Sequence, residues 1–125
     1  MRVYDPSTMM MDGSKVIGVQ GLAMFGSFSP DNATYYVPHQ QANDALHAVD
    51  VATLTQRVLP LPPESCLNAH AFVLGPDGVN GIVVCEGDHV MIPGSVVFVN
   101  TTAFAITGYV QVGMFSDGAA WLPPM

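Results

Sequence analysis

Residues 70–85 read HAFVLGPDGVNGIVVC, and this stretch decides the fold class. Its two ends, 70–74 and 81–85, consist mainly of β-branched, aromatic and other apolar residues, which favour strands. Between them lies Gly75-Pro76-Asp77-Gly78, which is typical of a tight turn because proline fixes φ and glycine permits positive φ. Strand, turn and strand in this order predict an antiparallel β-hairpin.

The same pattern of short strands and turns continues towards the C-terminus. Further strands are predicted at 89–92, 95–99, 104–115 (as one strand or two) and 119–122. Pro93-Gly94 predicts a type II turn between the first two of these strands. Turns at intervals of about 8–12 residues are typical of a β-sandwich or barrel. The predicted fold is therefore mainly β, an antiparallel sandwich or barrel of jelly-roll type, and no internal repeat is visible.

One segment, around 41–58, is a candidate for a helix. Asn43 or Asp44 would cap its N-terminus, and Pro60 would end it. The segment also alternates as a strand would, through Val49, Val51, Thr53 and Thr55. We expect at most one short helix here, and a strand remains equally open.

Residues 1–14 predict an extended N-terminal arm, and 15–125 predict a single β-rich domain. The arm carries three adjacent methionines, whose flexible side chains adapt well to a neighbouring surface. The predicted interface residues in the arm are Tyr4, Met9, Met10 and Met11. Alternatively, the arm is a disordered start to the chain and the methionine run arose by chance. The sequence favours neither alternative.

The composition is poor in charge. The chain has three basic and ten acidic residues among 125, so 10% are charged, whereas about a quarter is usual in soluble domains. Half of the residues are hydrophobic. A surface with so little charge is expected to be covered by other protein, and we predict a homo-oligomer, with a trimer favoured.

Several functions and locations are not expected. Arg2, Lys15 and Arg57 are the only basic residues and are scattered, so neither nucleic acid nor an anionic membrane is an expected partner. No apolar run reaches the length of a membrane span, and residues 1–16 lack the apolar core of a secretory signal. We therefore expect a protein that is made in the cytoplasm.

The sequence shows no pattern that predicts a reaction or a metal. The four histidines lie in no His-x-His or His-Glu-x-x-His motif, so they are interpreted as unrelated, and no cofactor is expected. No nucleophile motif or phosphate loop is present, and the chain is not expected to be an enzyme. Cys66 and Cys85 are able to pair, but buried free thiols are the more common outcome for two cysteines in a domain of this size.

Residues 87–94, continuing to Asn100, resemble the second conserved motif of cupins. Gly87 and Pro93 have the separation of that motif, but Gly94 comes one place early and Phe98 stands where the histidine ligand belongs. The resemblance implies a jelly-roll-like hairpin without a metal. A small cupin-like domain is thus one alternative function. A carbohydrate-binding domain is another, and it would need a flat platform of exposed aromatic residues such as Tyr35, Tyr36, Tyr109 and Trp121.

Residues 112–122 read VGMFSDGAAWL and resemble a hairpin that recurs in virion proteins of tailed bacteriophages. An Asp-Gly turn is followed there by small residues and a tryptophan. The resemblance implies a structural virion component, similar to small head decoration proteins, that binds a capsid or other virion protein and is located in the virion. Trp121 and Leu122 complete the predicted interface residues.

Overall fold

The computed structural model describes residues 2–5, 7–18, 21–40 and 43–122, and its regular structure within these ranges is entirely β. The strands are β1 (Arg2–Asp5), β2 (Met10–Val16), β3 (Leu22–Ala23), β4 (Ser27–Phe28), β5 (Thr34–Gln40), β6 (Ala45–Asp50), β7 (Gln56–Pro60), β8 (Ala69–Leu74), β9 (Asn80–Cys85), β10 (Ser95–Asn100) and β11 (Ala105–Gln111). The predicted mainly β, antiparallel fold is confirmed. Among the described residues there is no helix that is long and apolar enough to cross a membrane.

The helix considered around 41–58 is not formed; residues 41 and 42 of it lie outside the described residues. Strands β6 and β7, joined by a turn at 51–55, replace it, because β6 is buried along nearly its whole length and pairs on both sides. A helix would expose one face, whereas five of the six residues of β6 are buried. Pro60 ends β7 at the edge of its sheet, where a missing N–H is tolerated.

The strands form a hairpin and two larger sheets. β1 pairs with β2 in the N-terminal hairpin. The first meander has the order β3-β5-β6-β7, with β4 also paired to β5, and the second meander has the order β11-β10-β9-β8. Apart from β3 and β4, which both pair with β5, strands that follow one another in sequence are neighbours in each sheet, as in a meander and not as in a jelly roll. The sheets formed by the described residues do not close into a barrel.

The two meanders are repeats of each other. Ser27 pairs with Tyr36 in the first as Val73 pairs with Ile82 in the second. The second and third strands also correspond, because Tyr35 pairs with Val49 in the first meander as Gly81 pairs with Val99 in the second. The third and last strands do so too, with Val49–Gln56 in the first meander and Val99–Ile106 in the second. Each first turn carries Pro-Asp, at 30–31 and 76–77. The expectation of no internal repeat is therefore wrong, because the repeat is preserved in strand register while few residues are identical and the loop before the third strand differs in length.

The core lies between the inner faces of the two meanders. Leu46 and Tyr36 of the first pack into one cluster with Phe72, Val83 and Val97 of the second. The rings of Tyr36 and Phe72 are 5.2 Å apart. Each such side chain contributes about 1.5–3 kcal/mol when fully buried, so this cluster is the main source of stability.

The first strands of the two meanders run side by side and parallel. Phe25 forms a parallel bridge with Ala71 between these strands. The Phe25 amide donates to the His70 carbonyl at 3.1 Å, and the Phe72 amide donates to the Phe25 carbonyl at 2.8 Å. These bonds fix how the second sheet is positioned over the first.

The N-terminal hairpin lies beside the outer face of the first meander, and residues of both, among them Tyr4 and Val49, line one cavity. Val37 and Val49 point to that face and are fully buried, and Ile17 is buried there as well. The Gln56 side-chain amide donates to the Gly18 carbonyl at 3.0 Å and joins β7 to the end of the hairpin. The predicted extended arm is thus a paired hairpin, and the proposed boundary after residue 14 falls inside β2.

The C-terminal segment, residues 112–122, lies against the second meander without forming a strand. The Trp121 indole N–H donates to the Val73 carbonyl at 3.4 Å. The predicted strands at 89–92 and 119–122 are therefore wrong, and of 104–115 only Ala105–Gln111 is a strand. Most residues of this segment are exposed, and its start is joined to the second meander by two backbone hydrogen bonds, from Val112 N–H to the Gly94 carbonyl and from Gly94 N–H to the Gly113 carbonyl.

The type II turn predicted at Pro93-Gly94 is also not formed. Gly94 does not have the positive φ that this turn requires. Position 94 needs glycine for a different reason, because a Cβ there would lie 2.5 Å from the Cys85 carbonyl oxygen and 2.6 Å from the Ser116 hydroxyl. The close approach of the backbone at position 94 to both β9 and the C-terminal segment thus explains this glycine.

Cys66 and Cys85 form a disulfide, which corrects the expectation of buried free thiols. The two residues are 19 apart in sequence, and their Cα atoms are 5.4 Å apart. Cys66 precedes β8 and Cys85 ends β9, so the bond closes the loop that contains the first hairpin of the second meander. Strand pairing had already brought the two positions together, since Cys85 pairs with Ala69.

Removing this disulfide is expected to lower stability. A closed loop of this length restricts the unfolded chain by about 3 kcal/mol. We expect the Cys66→Ala/Cys85→Ala double variant to lose roughly that free energy of unfolding in urea titrations. The oxidised and reduced wild type provide the matched comparison, and equal stability of the two would contradict the predicted contribution.

Candidate functional site

Four titratable side chains converge at one end of the second meander. Glu86 Oε1 lies 2.8 Å from His70 Nδ1, and Glu86 Oε2 lies 3.2 Å from His89 Nε2. Asp117 joins this group, because ligand atoms of His70, Glu86 and Asp117 all lie within 4.8 Å of one another. We call these four residues the His–carboxylate cluster.

A β-bulge aims His70 at the cluster. Ala69 pairs with Cys85 and Ala71 with Val84, so His70 is the extra residue on β8. A bulge of this kind turns a side chain away from its regular alternation. The start of β8 is fixed by the Asp44 carboxylate, which accepts the backbone N–H groups of Asn68 at 2.9 Å and Ala69 at 3.0 Å.

Glu86 is buried directly after β9 and is held from several sides. Its backbone N–H donates to the Asn68 carbonyl at 3.0 Å, and its neighbour Cys85 forms the disulfide. The Gln40 side-chain amide donates to Glu86 Oε2 at 3.1 Å. With only 8% of the residue exposed, this carboxylate needs partners for its charge, and the two histidines and Gln40 provide them.

His89 lies in the loop between β9 and β10, which an aspartate organises. The Asp88 carboxylate accepts the backbone N–H groups of Val90, Met91 and Ile92 at 2.9, 2.7 and 2.7 Å. These hydrogen bonds hold the pKa of Asp88 below its ordinary value. Its acceptance of local N–H groups also explains why the apolar residues 90–92 form a loop where a strand was predicted.

The backbone at His89 is left-handed, with φ of 65°, and Phe115 opposite has φ of 60°. The two rings stack, with centroids 4.8 Å apart. A left-handed conformation is costly for residues of this size and persists where the surrounding structure requires it. The stacking of Phe115 on His89 therefore holds the imidazole against Glu86.

The hydrogen bonding of the two histidines is incomplete. His70 Nδ1 and His89 Nε2 are shielded from solvent, and neither has a hydrogen bond of acceptable geometry within the described part of the chain. Their distances to Glu86 are short, yet the directions do not suit an N–H donor. A cation bound between these groups would give both nitrogens a partner.

The sequence placed none of these residues in a site. The four histidines were interpreted as unrelated, but two of them face one carboxylate. His70, His89 and Asp117 come from three different segments, so no local spacing reveals them. The other two, His39 and His47, pair elsewhere, with ring nitrogens 2.6 Å apart.

The predicted interface residues lie away from this cluster, at the two ends of the stacked layers. Tyr4 and the three methionines are exposed on the N-terminal hairpin, where Tyr4 donates to the Met9 sulfur at 2.9 Å. Trp121 and Leu122 are exposed on the C-terminal segment, Leu122 at 87%. Tyr36 is buried in the core, so it is not available to an aromatic carbohydrate platform.

The His39–His47 pair is a buried chain of hydrogen bonds with an acceptor at each end. His39 Nε2 faces the Asn43 carbonyl at 2.7 Å, and His47 Nδ1 faces Gln56 Oε1 at 2.9 Å. The Gln56 amide is oriented by its donation to Gly18.

Comparison with known proteins informs the fold alone. No protein-family model and no curated protein matches the chain. Among solved structures the chain is similar to Kuenenia stuttgartiensis hydrazine synthase, with a TM-score of 0.76 and 17% identity over 91% of this chain. The chain spans 30% of that protein, so the activity in its name does not transfer.

We expect stability to fall as the pH is lowered from 7 towards 5. Burial is the largest cause that lowers the pKa of His47 below its ordinary 6.5; the charge of His39 adds to it and the Gln56 hydrogen bond opposes it. The unfolded chain therefore binds the His47 proton first, and stability is lost below about pH 6.5. A His47→Gln variant, measured by urea unfolding across this range, is expected to show a smaller loss. Equal losses in the variant and the wild type would contradict this assignment.

Proposed function

We propose that the chain is a non-catalytic assembly module whose copies associate head to tail. The observation that carries the proposal is the repeat: the second meander has the strand register of the first but has only the C-terminal segment on its outer face. One face of the first meander packs against the second meander, and the N-terminal hairpin lies beside the other face, where the two line a shared cavity. A repeat of this kind is normally completed by further sheets.

One surface available for association is the outer face of β10 and β11, which we call the sheet surface. Phe98 is 41% exposed, and Val110, whose partner Val96 lies on the same face as Phe98, is 48% exposed. Their neighbours Ile82 and Val84 are buried. An exposed apolar strip of this kind supports the proposal that another protein binds the sheet surface.

A second surface lies at the opposite end of the layers, on the N-terminal hairpin. Its exposed residues are Tyr4, Met9, Met10 and Met11. We call this the hairpin surface. Methionine side chains suit a partner whose surface is irregular. Contact between the sheet surface of one copy and the hairpin surface of the next joins two different patches, and such contacts form rings when the rotation closes.

A trimer is the favoured ring. Each copy contributes two meanders, and three copies would bring the total within the range of four to eight sheets that is found in β-propellers. Low charge supports this proposal, since few charged side chains would be buried on association.

The virion role, with a capsid or other virion protein as partner, stays a prediction. The Cys66–Cys85 disulfide favours an oxidising location over the cytosol, because cytosolic thiols are normally kept reduced. That preference agrees with a location in released particles and with other extracytoplasmic locations.

The assembly is tested by light scattering at micromolar concentration. We expect a mass near three times 13.2 kDa for the wild type. Phe98→Asp or Met10→Asp, on opposite surfaces, should each reduce this mass, because a charge would be buried in the contact. Val79→Asp, at an exposed turn residue, is the matched control and should leave it unchanged. A monomeric wild type, or variants that assemble normally, would contradict the proposal.

A further inference from the structure

We propose that the His–carboxylate cluster binds one divalent transition-metal ion of the Zn²⁺ class. Ligand atoms of His70, Glu86 and Asp117 lie within 4.8 Å of one another, and His89 Nε2, which lies 3.2 Å from Glu86 Oε2, would complete the set as the fourth ligand after a rotation of its side chain. This inference is independent of the proposed assembly, since the cluster lies within one chain.

Three of the four donors already lie close enough to one another to share an ion. Zinc is bound at about 2.0–2.2 Å by histidine nitrogen and carboxylate oxygen, so neighbouring ligands of a tetrahedral ion lie about 3.3–3.6 Å apart. The two nitrogens lie 2.8 and 3.2 Å from Glu86 oxygens. Small rotations are sufficient to bring His70, Glu86 and Asp117, whose ligand atoms already lie within 4.8 Å of one another, to these separations, whereas His89 has to turn from the other Glu86 oxygen towards the ion.

The unsatisfied nitrogens are the second argument. His70 Nδ1 and His89 Nε2 are shielded from water and directed at Glu86 without good hydrogen-bond geometry. A buried polar atom without a partner costs about 1–3 kcal/mol, and a metal that accepts both lone pairs removes that cost at two atoms. Neutral imidazole is also the form of histidine that ligates metal.

The donor set selects the class of ion. Imidazole nitrogen is a good ligand for zinc, copper, nickel and iron, whereas calcium and magnesium prefer oxygen. Two carboxylates, Glu86 and Asp117, would balance the charge of a divalent ion.

Neighbouring groups hold the ligands in place. Gln40 donates to Glu86, and Phe115 stacks on His89. The Phe25 ring lies 5.3 Å from that of His70. Such supporting contacts orient ligands before the metal arrives, and the disulfide beside Glu86 fixes the strand that carries it.

Calorimetric titration of the metal-free, disulfide-bonded full chain with ZnCl₂ tests the proposal. We expect one ion per chain with a dissociation constant of about 1 µM or tighter. His70→Gln and Glu86→Gln should each weaken binding by roughly 100-fold, and Asp117→Asn by less, because Asp117 is exposed. Asp31→Asn, at an exposed turn of the first meander that is not part of the cluster, is the control and should bind zinc as the wild type does.

Cobalt gives a readout that does not depend on affinity alone. Co²⁺ in the wild type should show the intense visible absorption of a tetrahedral site, and His89→Gln should lose it while keeping the wild-type circular dichroism. The proposal is overturned by an absence of saturable zinc binding at 100 µM, or by unchanged affinity in the Glu86 and His70 variants that retain the fold. If one ligand variant fails to fold, the zinc affinity and cobalt absorption of the other ligand variants test the proposal by the same criteria.

Discussion

Face-to-face packing of two equivalent sheets is the constraint on which the rest of this structure depends. Phe72 of the second meander lies against Tyr36 of the first, and Gly81 is glycine because a Cβ there would overlap the Phe72 ring. The parallel bridge between Phe25 and Ala71 then sets the position of one sheet over the other. Once these contacts form, the outer face of each sheet is defined, and with it the surfaces that a neighbour would cover.

The same arrangement builds the His–carboxylate cluster. The bulge at His70 lies on the strand that contains Phe72, and Glu86 follows the strand that the disulfide ties down. The packing of the second meander thus supports both the core and the cluster. Both proposals depend on this meander: head-to-tail assembly involves the outer face of its sheet, and metal binding involves one end of that sheet.

The strands that the sequence predicted well are those with clear turn chemistry. The segments 70–74, 81–85 and 95–99 match β8, β9 and β10 to within one residue. The strand–helix ambiguity at 41–58 has two sources: β6 is buried on both faces and so lacks regular alternation, and the alternating run at 49–55 falls mostly in the turn after β6. The loop at 88–92 was mistaken for a strand because the hydrogen bonds of one carboxylate, Asp88, override the strand preference of its apolar neighbours.

The repeat and the cluster were beyond local sequence reasoning. The meanders share register and a Pro-Asp turn, but the loop between their second and third strands differs in length, which hides the correspondence. His70 and His89 meet only through strand pairing and a bulge. The predicted interface residues in the hairpin and at Trp121 and Leu122 were found by composition and local pattern, and the fold places them at opposite ends of the layers.

Hydrogen exchange measured by mass spectrometry tests the head-to-tail account most directly. Exchange in the assembled protein would be compared with exchange after dilution to the monomer, in peptides from β1–β2, from β10–β11 and from the turn at 75–79. The account predicts that assembly slows exchange in both the hairpin and β10–β11 peptides and leaves the turn peptide unchanged. Slower hydrogen exchange in only one of these two sets of peptides, or in neither, would contradict a contact between different patches on successive copies.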